Sequence, residues 1–200
     1  MTTIYLIRHA EAEGNIYRRY HGWYNSLITL NGYRQIQALE KRFEGVRIDA
    51  VYSSDLFRTM TTAGALYKSR GLELHTDPGL REIGGGVWED KTWGWLHREN
   101  EGALDAFNRA DPAWQVEGSE TFGGVQMRVT HAIRRIAAAH PGQTVAIFSH
   151  GTAIRTALAK FYGYPLDQIA RVPHGDNTCV SKLLIDGDQV DVEYFNDNSH

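Results

Sequence analysis

Ile4-Tyr5-Leu6-Ile7-Arg8-His9 runs four apolar residues straight into an arginine and a histidine. An unbroken apolar run is the pattern of a strand covered on both faces, as in parallel sheets flanked by helices. The rest of the chain repeats the theme. Asp49 to Ser53 reads as a second short strand, Glu73-Leu-His-Thr76 as a third stopped at Pro78, and Thr144-Val-Ala-Ile-Phe148 as the clearest buried one. Helical periods fill the gaps. Ile36, Leu39 and Phe43 form a stripe after Thr29, a candidate cap. Arg58 to Tyr67 stops before Gly71. Phe122 to Ala139 carries Val125, Val129, Ile133 and Ile136 and stops before Pro141-Gly142, and Gly151 to Phe161 is helical again. Val180 to Ile185 and Val190 to Phe195 flank Asp186-Gly187-Asp188-Gln189 as a closing hairpin. Strands alternating with helices predict an α/β fold: a three-layer sandwich with a mainly parallel central sheet and helices on both faces.

Residues 84–118 break this rhythm. They hold Trp88, Trp93, Trp95 and Trp114, several charges and no long clean period. We read them as a helical cap inserted over one end of the sheet, within a single domain spanning residues 1–200. The four tryptophans are expected to form the core of that cap.

Composition narrows the functional classes. With 42% hydrophobic and 22% charged residues in 200, the chain can bury a sizeable core and is neither a disordered tail nor a disulfide scaffold. A net charge of −3 offers no electrostatic footprint for nucleic acid. The lone Cys179 cannot form an internal bridge, which fits a reducing compartment. The apolar run before Arg8-His9 is too short for a signal peptide, and no stretch is long enough to span a membrane. The expectation is a cytoplasmic protein with no membrane or nucleic-acid partner; a homodimer is left open.

The strand ends carry the chemistry. Arg8-His9 closes the first strand, with Asn15 six residues after His9. Arg58 follows the second strand, and His150-Gly151 follows the fourth. Ligands of open α/β sheets bind outside the carboxyl ends of the strands. Each residue alone would be an ordinary capping or solvated side chain, but three such endings at one sheet edge make a site. Two arginines and two histidines there suit a phosphate dianion, with a neutral imidazole free to attack phosphorus. The leaving oxygen also needs a proton, and Glu82, beyond the third strand, is the candidate donor. Glu11 and Glu89 are next in line. His21, His75, His97, His131, His140 and His200 show no ligand spacing and read as ordinary. His174, in the turn Pro173-His174-Gly175-Asp176-Asn177, has an open role. Neither a metal nor an organic cofactor is implied.

These motifs resemble the histidine phosphatase superfamily, and within it the phosphoglycerate-mutase-like branch. The resemblance rests on Leu6-Ile7-Arg8-His9-Ala10-Glu11 with Asn15, and on Ser53-Ser54-Asp55-Leu56 with Arg58-Thr59. It continues through Leu80 and Glu82 with Gly86, Trp88 and Glu89, and ends on Ser149-His150-Gly151. It implies that His9 is the nucleophile that becomes phosphohistidine and that Arg8, Arg58 and His150 complete the phosphate pocket. Asn15 then touches the phosphate or the substrate, and Glu82 is the general acid. Ala10 stands where the family most often has glycine. Asn25-Ser26-Leu27 replaces an Asp-x-Pro-Leu pattern, which leaves the roles of Asn25 and Ser26 open.

The family includes phosphatases, mutases and members without activity. Gly86, Trp88 and Glu89 around the acid look like the phosphatase members, and a poorly shielded phosphohistidine is hydrolysed. The expectation is a phosphatase acting on a small phosphorylated metabolite. The alternatives are a 2,3-bisphosphoglycerate-dependent phosphoglycerate mutase and a non-catalytic phosphate-binding scaffold, which would lack His9, Glu82 or His150.

Overall fold

The computed structural model describes residues 1–200. Six strands form one sheet: β1 (Thr2–Arg8), β2 (Ala50–Ser53), β3 (Leu74–Thr76), β4 (Thr144–Ser149), β5 (Val180–Asp186) and β6 (Gln189–Asp197), in the order β3-β2-β4-β1-β5-β6. The first four strands run parallel, and β5 and β6 add an antiparallel edge. The helices are α1 (Glu13–Ile16), α2 (Leu30–Arg42), α3 (Phe57–Tyr67), α4 (Trp93–Glu99), α5 (Glu101–Asn108), α6 (Phe122–Ala139) and α7 (Gly151–Phe161). None is long and apolar enough to cross a membrane.

The apolar strand runs separate cleanly by face. Ile4 and Leu6 of β1, with Val145 and Ile147 of β4, join a core built with α6 and α7. Ile7, Ala146 and Phe148 join a second core with Leu39 and Phe43 around α2 and with Ala63 and Leu66 of α3. Both faces of the central strands are therefore covered, which is why their sequences do not alternate. Thr29 caps α2 by accepting from the Gly32 N–H, and Thr121 caps α6 by accepting from the Gly124 N–H.

Residues 84–118 contain a 3₁₀ turn at Gly86–Trp88 followed by α4 and α5. Trp88 and Trp114 are buried and pack with Tyr20, Phe107 and Phe122 at ring-centroid distances of 4.9 to 5.8 Å. This aromatic cluster fixes the segment to the α6 side of the sheet. Trp95 departs from the expected cap core. It lies on the surface, with the Lys91 ammonium 5.2 Å from its ring centroid.

Candidate active site

Sheet order brings the site together. β4 lies between β1 and β2, with Arg8 paired to Ser149 and Ser53 to Phe148, so the carboxyl ends of three strands open on one edge. The His9 N–H donates to the Ser149 carbonyl at 3.1 Å, holding His9 beside His150, and their ring centroids are 5.3 Å apart. The Ser149 hydroxyl donates to the Leu80 carbonyl at 2.7 Å, which draws the segment carrying Glu82 to the same edge.

His9 is buried, and its Nδ1 lies 2.8 Å from the Ala10 carbonyl. A carbonyl only accepts, so Nδ1 carries the hydrogen and Nε2 keeps its lone pair. Burial, then the positive charges of Arg58 and Arg8, hold the imidazole pKa well below its usual value. His9 is thus neutral with a bare Nε2, the state a nitrogen nucleophile needs. Ala10, the departure from glycine, contributes through its main chain: its carbonyl fixes the His9 tautomer while its N–H donates to the Thr62 hydroxyl.

Arg58 is fully buried and its guanidinium is already well engaged. Nε donates to His150 Nδ1 at 3.1 Å, Nη1 to the Tyr24 carbonyl at 3.0 Å, and Nη2 to the carbonyls of His21 and Gly22 at 2.8 and 2.7 Å. Four of the five N–H groups of an arginine are accounted for, so one Nη1 hydrogen remains for an anion. This differs from a free fork gripping phosphate: Arg58 also clamps the 21–24 loop to the sheet edge. Burial lowers its pKa to about 10, which leaves it charged at neutral pH. Since Nδ1 of His150 accepts from Arg58, Nε2 carries the hydrogen and donates to Ser54 Oγ at 2.8 Å. Burial and the charge on Arg58 keep His150 neutral as well.

Arg8 donates through Nη1 to the Gly175 carbonyl, while its Nε is buried without a partner. A buried orphan donor is uncommon, and here it faces Gly151, whose position would put a Cβ 3.4 Å away. Asn15 caps α1, its Oδ1 accepting from the Ala12 N–H at 2.9 Å, which turns Nδ2 toward His21 Nε2 at 3.4 Å.

Glu82 sits over the N-terminus of α7. Oε1 accepts from the N–H groups of Ile83 and Ala153, and Oε2 from that of Thr152, at 2.9 to 3.0 Å. A lone pair on Oε2 remains for a proton it would deliver. The two fallback acids are engaged elsewhere. Glu89 accepts from the N–H groups of Trp23, Tyr24 and Gly85, and Glu11 from the Thr29 hydroxyl and the Asn31 amide. Asn25 accepts from the Phe57 N–H at the start of α3, and Ser26 contacts His21, so neither reaches the cavity.

Above these residues lies a cavity of about 460 Å³, walled by Arg8, Asn15, His21, Glu82, Gly151 and His174 among others. His9, Arg58 and His150 are buried and are not part of its wall. His21 was expected to be ordinary, and the structure corrects this. It lines the cavity, its ring stands nearly perpendicular to His9 at 5.7 Å, and burial with Arg58 and Arg8 lowers its pKa to about 3. Gly14 makes room for it, since a Cβ there would come within 2.4 Å of the imidazole. The only sequence signal was its place in the loop between Asn15 and Arg58. No group of three or more His, Cys, Asp or Glu side chains is arranged to hold a metal ion.

The family profile of the histidine phosphatase superfamily (branch 1) matches residues 4–198. The chain is 35% identical to Bacillus stearothermophilus YhfR, with a TM-score of 0.95 over 100% of this chain and 98% of that one. The alpha-ribazole phosphatase from Shigella flexneri superposes with a TM-score of 0.87 at 26% identity, covering 98% of this chain and 96% of that one. A probable phosphoglycerate mutase GpmB from Cronobacter sakazakii is 30% identical over 165 residues, 82% of this chain and 77% of that protein.

Proposed function

The chain belongs to the histidine phosphatase superfamily, branch 1, and from that membership we propose that it is a phosphomonoesterase hydrolysing a small phosphorylated metabolite through a phosphohistidine on His9. The observation that carries this reading is the tautomer of His9: Nδ1 donates to Ala10, leaving Nε2 bare among Arg8, Arg58 and His150. Nε2 attacks phosphorus as the ester P–O bond breaks. The leaving oxygen takes a proton from Glu82, and the alcohol departs. Water then attacks the phosphohistidine, gives its proton to the Glu82 carboxylate, and releases inorganic phosphate. The Arg8 Nε–H, the remaining Arg58 Nη1–H and the Asn15 amide are the donors for the phosphoryl oxygens, and Gly151 lets the chain approach Arg8 closely. His150 holds Arg58 in place and lies next to the transferred group.

Access supports hydrolysis over transfer: the cavity wall includes exposed residues such as Arg18 and Asn108, an open route for water toward a phosphoenzyme. A second reading, a phosphoglycerate mutase dependent on 2,3-bisphosphoglycerate, is favoured by the name that the Cronobacter sakazakii relative carries. A screen of phosphomonoesters for released phosphate, run beside a mutase assay primed with 2,3-bisphosphoglycerate, separates the two. Phosphate release without interconversion of 2- and 3-phosphoglycerate supports the phosphatase, and primed interconversion that outpaces phosphate release overturns it.

A further inference from the structure

Arg155 is an unusual charge in this fold. It lies on α7, is only 8% exposed, and forms no ion pair with any carboxylate. Burying a guanidinium without a counter-ion is costly, and that cost is tolerated where its hydrogen bonds do something specific. Arg155 makes two: Nε donates to the Val172 carbonyl at 2.6 Å, and Nη1 donates to His174 Nε2 at 2.9 Å. Arginine has no acceptor, so Nε2 of His174 must offer a lone pair and the hydrogen must sit on Nδ1. No other hydrogen bond engages the His174 ring. His174 lines the cavity together with Arg8, Gly151 and Thr152, and the Thr152 N–H is one of the donors to the general acid Glu82.

We propose that His174 is a specificity-determining residue, a neutral N–H donor whose tautomer is set by the positioning residue Arg155 and which donates to an oxygen on the substrate's leaving group. This rests on the phosphatase reading above. It assigns the substrate class as phosphate esters of hydroxylated or carboxylated alcohols in preference to esters of purely apolar ones. His174 is partly open to solvent, but desolvation of its ring, followed by the charges of Arg155 from α7 and Arg8 from β1, lowers its pKa to about 4, so the donor stays uncharged at neutral pH. Trp93 and Phe107 line the same cavity and give the carbon skeleton of such a leaving group an apolar surface.

Two measurements test this. Nitrogen-15 NMR of the imidazole rings at pH 7, with His174 assigned by its absence in His174→Phe, should show Nδ1 protonated and Nε2 bare; the reverse tautomer overturns the proposal. In Arg155→Met the preference for that tautomer should be lost, and should Arg155→Met fail to fold, the wild-type spectrum alone decides the point. The second measurement compares glycerol 3-phosphate with propyl phosphate, which has the same chain length but no oxygen beyond the ester. His174→Phe should lower the ratio of kcat/KM on glycerol 3-phosphate to that on propyl phosphate by about tenfold, the scale of one hydrogen bond. Equal losses on both esters, or none on either, overturn the assignment. A wild type inert toward every phosphate ester would sink the phosphatase reading and this assignment with it. That outcome is distinct from an active enzyme that merely shows no preference.

Discussion

Replacing His21 with glutamine should flatten the acid side of the protein's stability curve. In the folded chain burial and two arginines hold His21 at a pKa of about 3, whereas an unfolded chain leaves it near its usual value of about 6.5. Below pH 6.5 the unfolded state therefore takes up a proton that the folded state refuses. The stability that His21 contributes is intact above pH 6.5 and is lost progressively as pH falls toward 3. Well below pH 6.5 each pH unit is worth about 1.4 kcal/mol, and with the ring only half titrated at pH 6.5 itself the loss between pH 6.5 and 4.5 is about 2 kcal/mol. That is an appreciable share of the roughly 5–15 kcal/mol typical of a folded domain. Glutamine does not titrate, yet its amide can still meet Ser26 and Asn15, the two present partners of the ring. Urea unfolding followed by tryptophan fluorescence, repeated from pH 7.5 to 4.5, gives the two slopes. The variant's stability should fall less steeply than wild type, by about 1.4 kcal/mol per pH unit well below pH 6.5, while the carboxylates common to both cancel. Parallel curves would show that His21 titrates as a solvated histidine and that the burial argument is wrong.

Arg58→Lys keeps the charge but loses the geometry that joins His150 to the loop carbonyls, so kcat should fall roughly a hundredfold, about 3 kcal/mol; a variant within twofold of wild type in steady-state assays would place Arg58 outside the reaction. Glu82→Gln should cripple hydrolysis of an alkyl phosphate while sparing p-nitrophenyl phosphate by at least about tenfold, or ~1.4 kcal/mol, because only the poor leaving group needs the proton. Equal losses, with chemistry shown to be rate-limiting, would remove Glu82 from the acid role. Thr121→Ala deletes the cap on α6 and should lower unfolding free energy by about 1 kcal/mol with kcat unchanged; an unchanged denaturation midpoint would mean the cap contributes nothing.

The elements of this fold were legible because they bury apolar residues at regular spacing. Ile4 to Ile7 and Thr144 to Phe148 had to be covered strands, and the stripe from Val125 to Ile136 had to face a core. The convergence of His9, Arg58 and His150 could be read from their positions just past strand ends. What could not be read was anything set by neighbours in space. The sequence put Glu82 ahead of Glu89, seven residues on across the glycines 84–86, but it did not show what separates the two. The turn at those glycines sends Glu89 into the amides of the 20–25 loop and leaves Glu82 at α7. His21 sits in an irregular loop with no periodicity to expose it. It reaches the cavity only because Gly14 lacks a side chain and because Arg58 holds the neighbouring carbonyls. Arg155 reads as one more charge on an amphipathic helix, and only its burial without a carboxylate partner marks it out.

Trapping the phosphoenzyme tests the central claim most directly. Wild-type protein mixed with a turned-over phosphomonoester and quenched in alkali should carry a phosphoryl group that is lost in acid, survives base, and maps by peptide mass spectrometry to His9. His9→Ala should carry none and should lose essentially all turnover. A phosphoryl group found on another residue, or ordinary turnover by His9→Ala, would contradict the account.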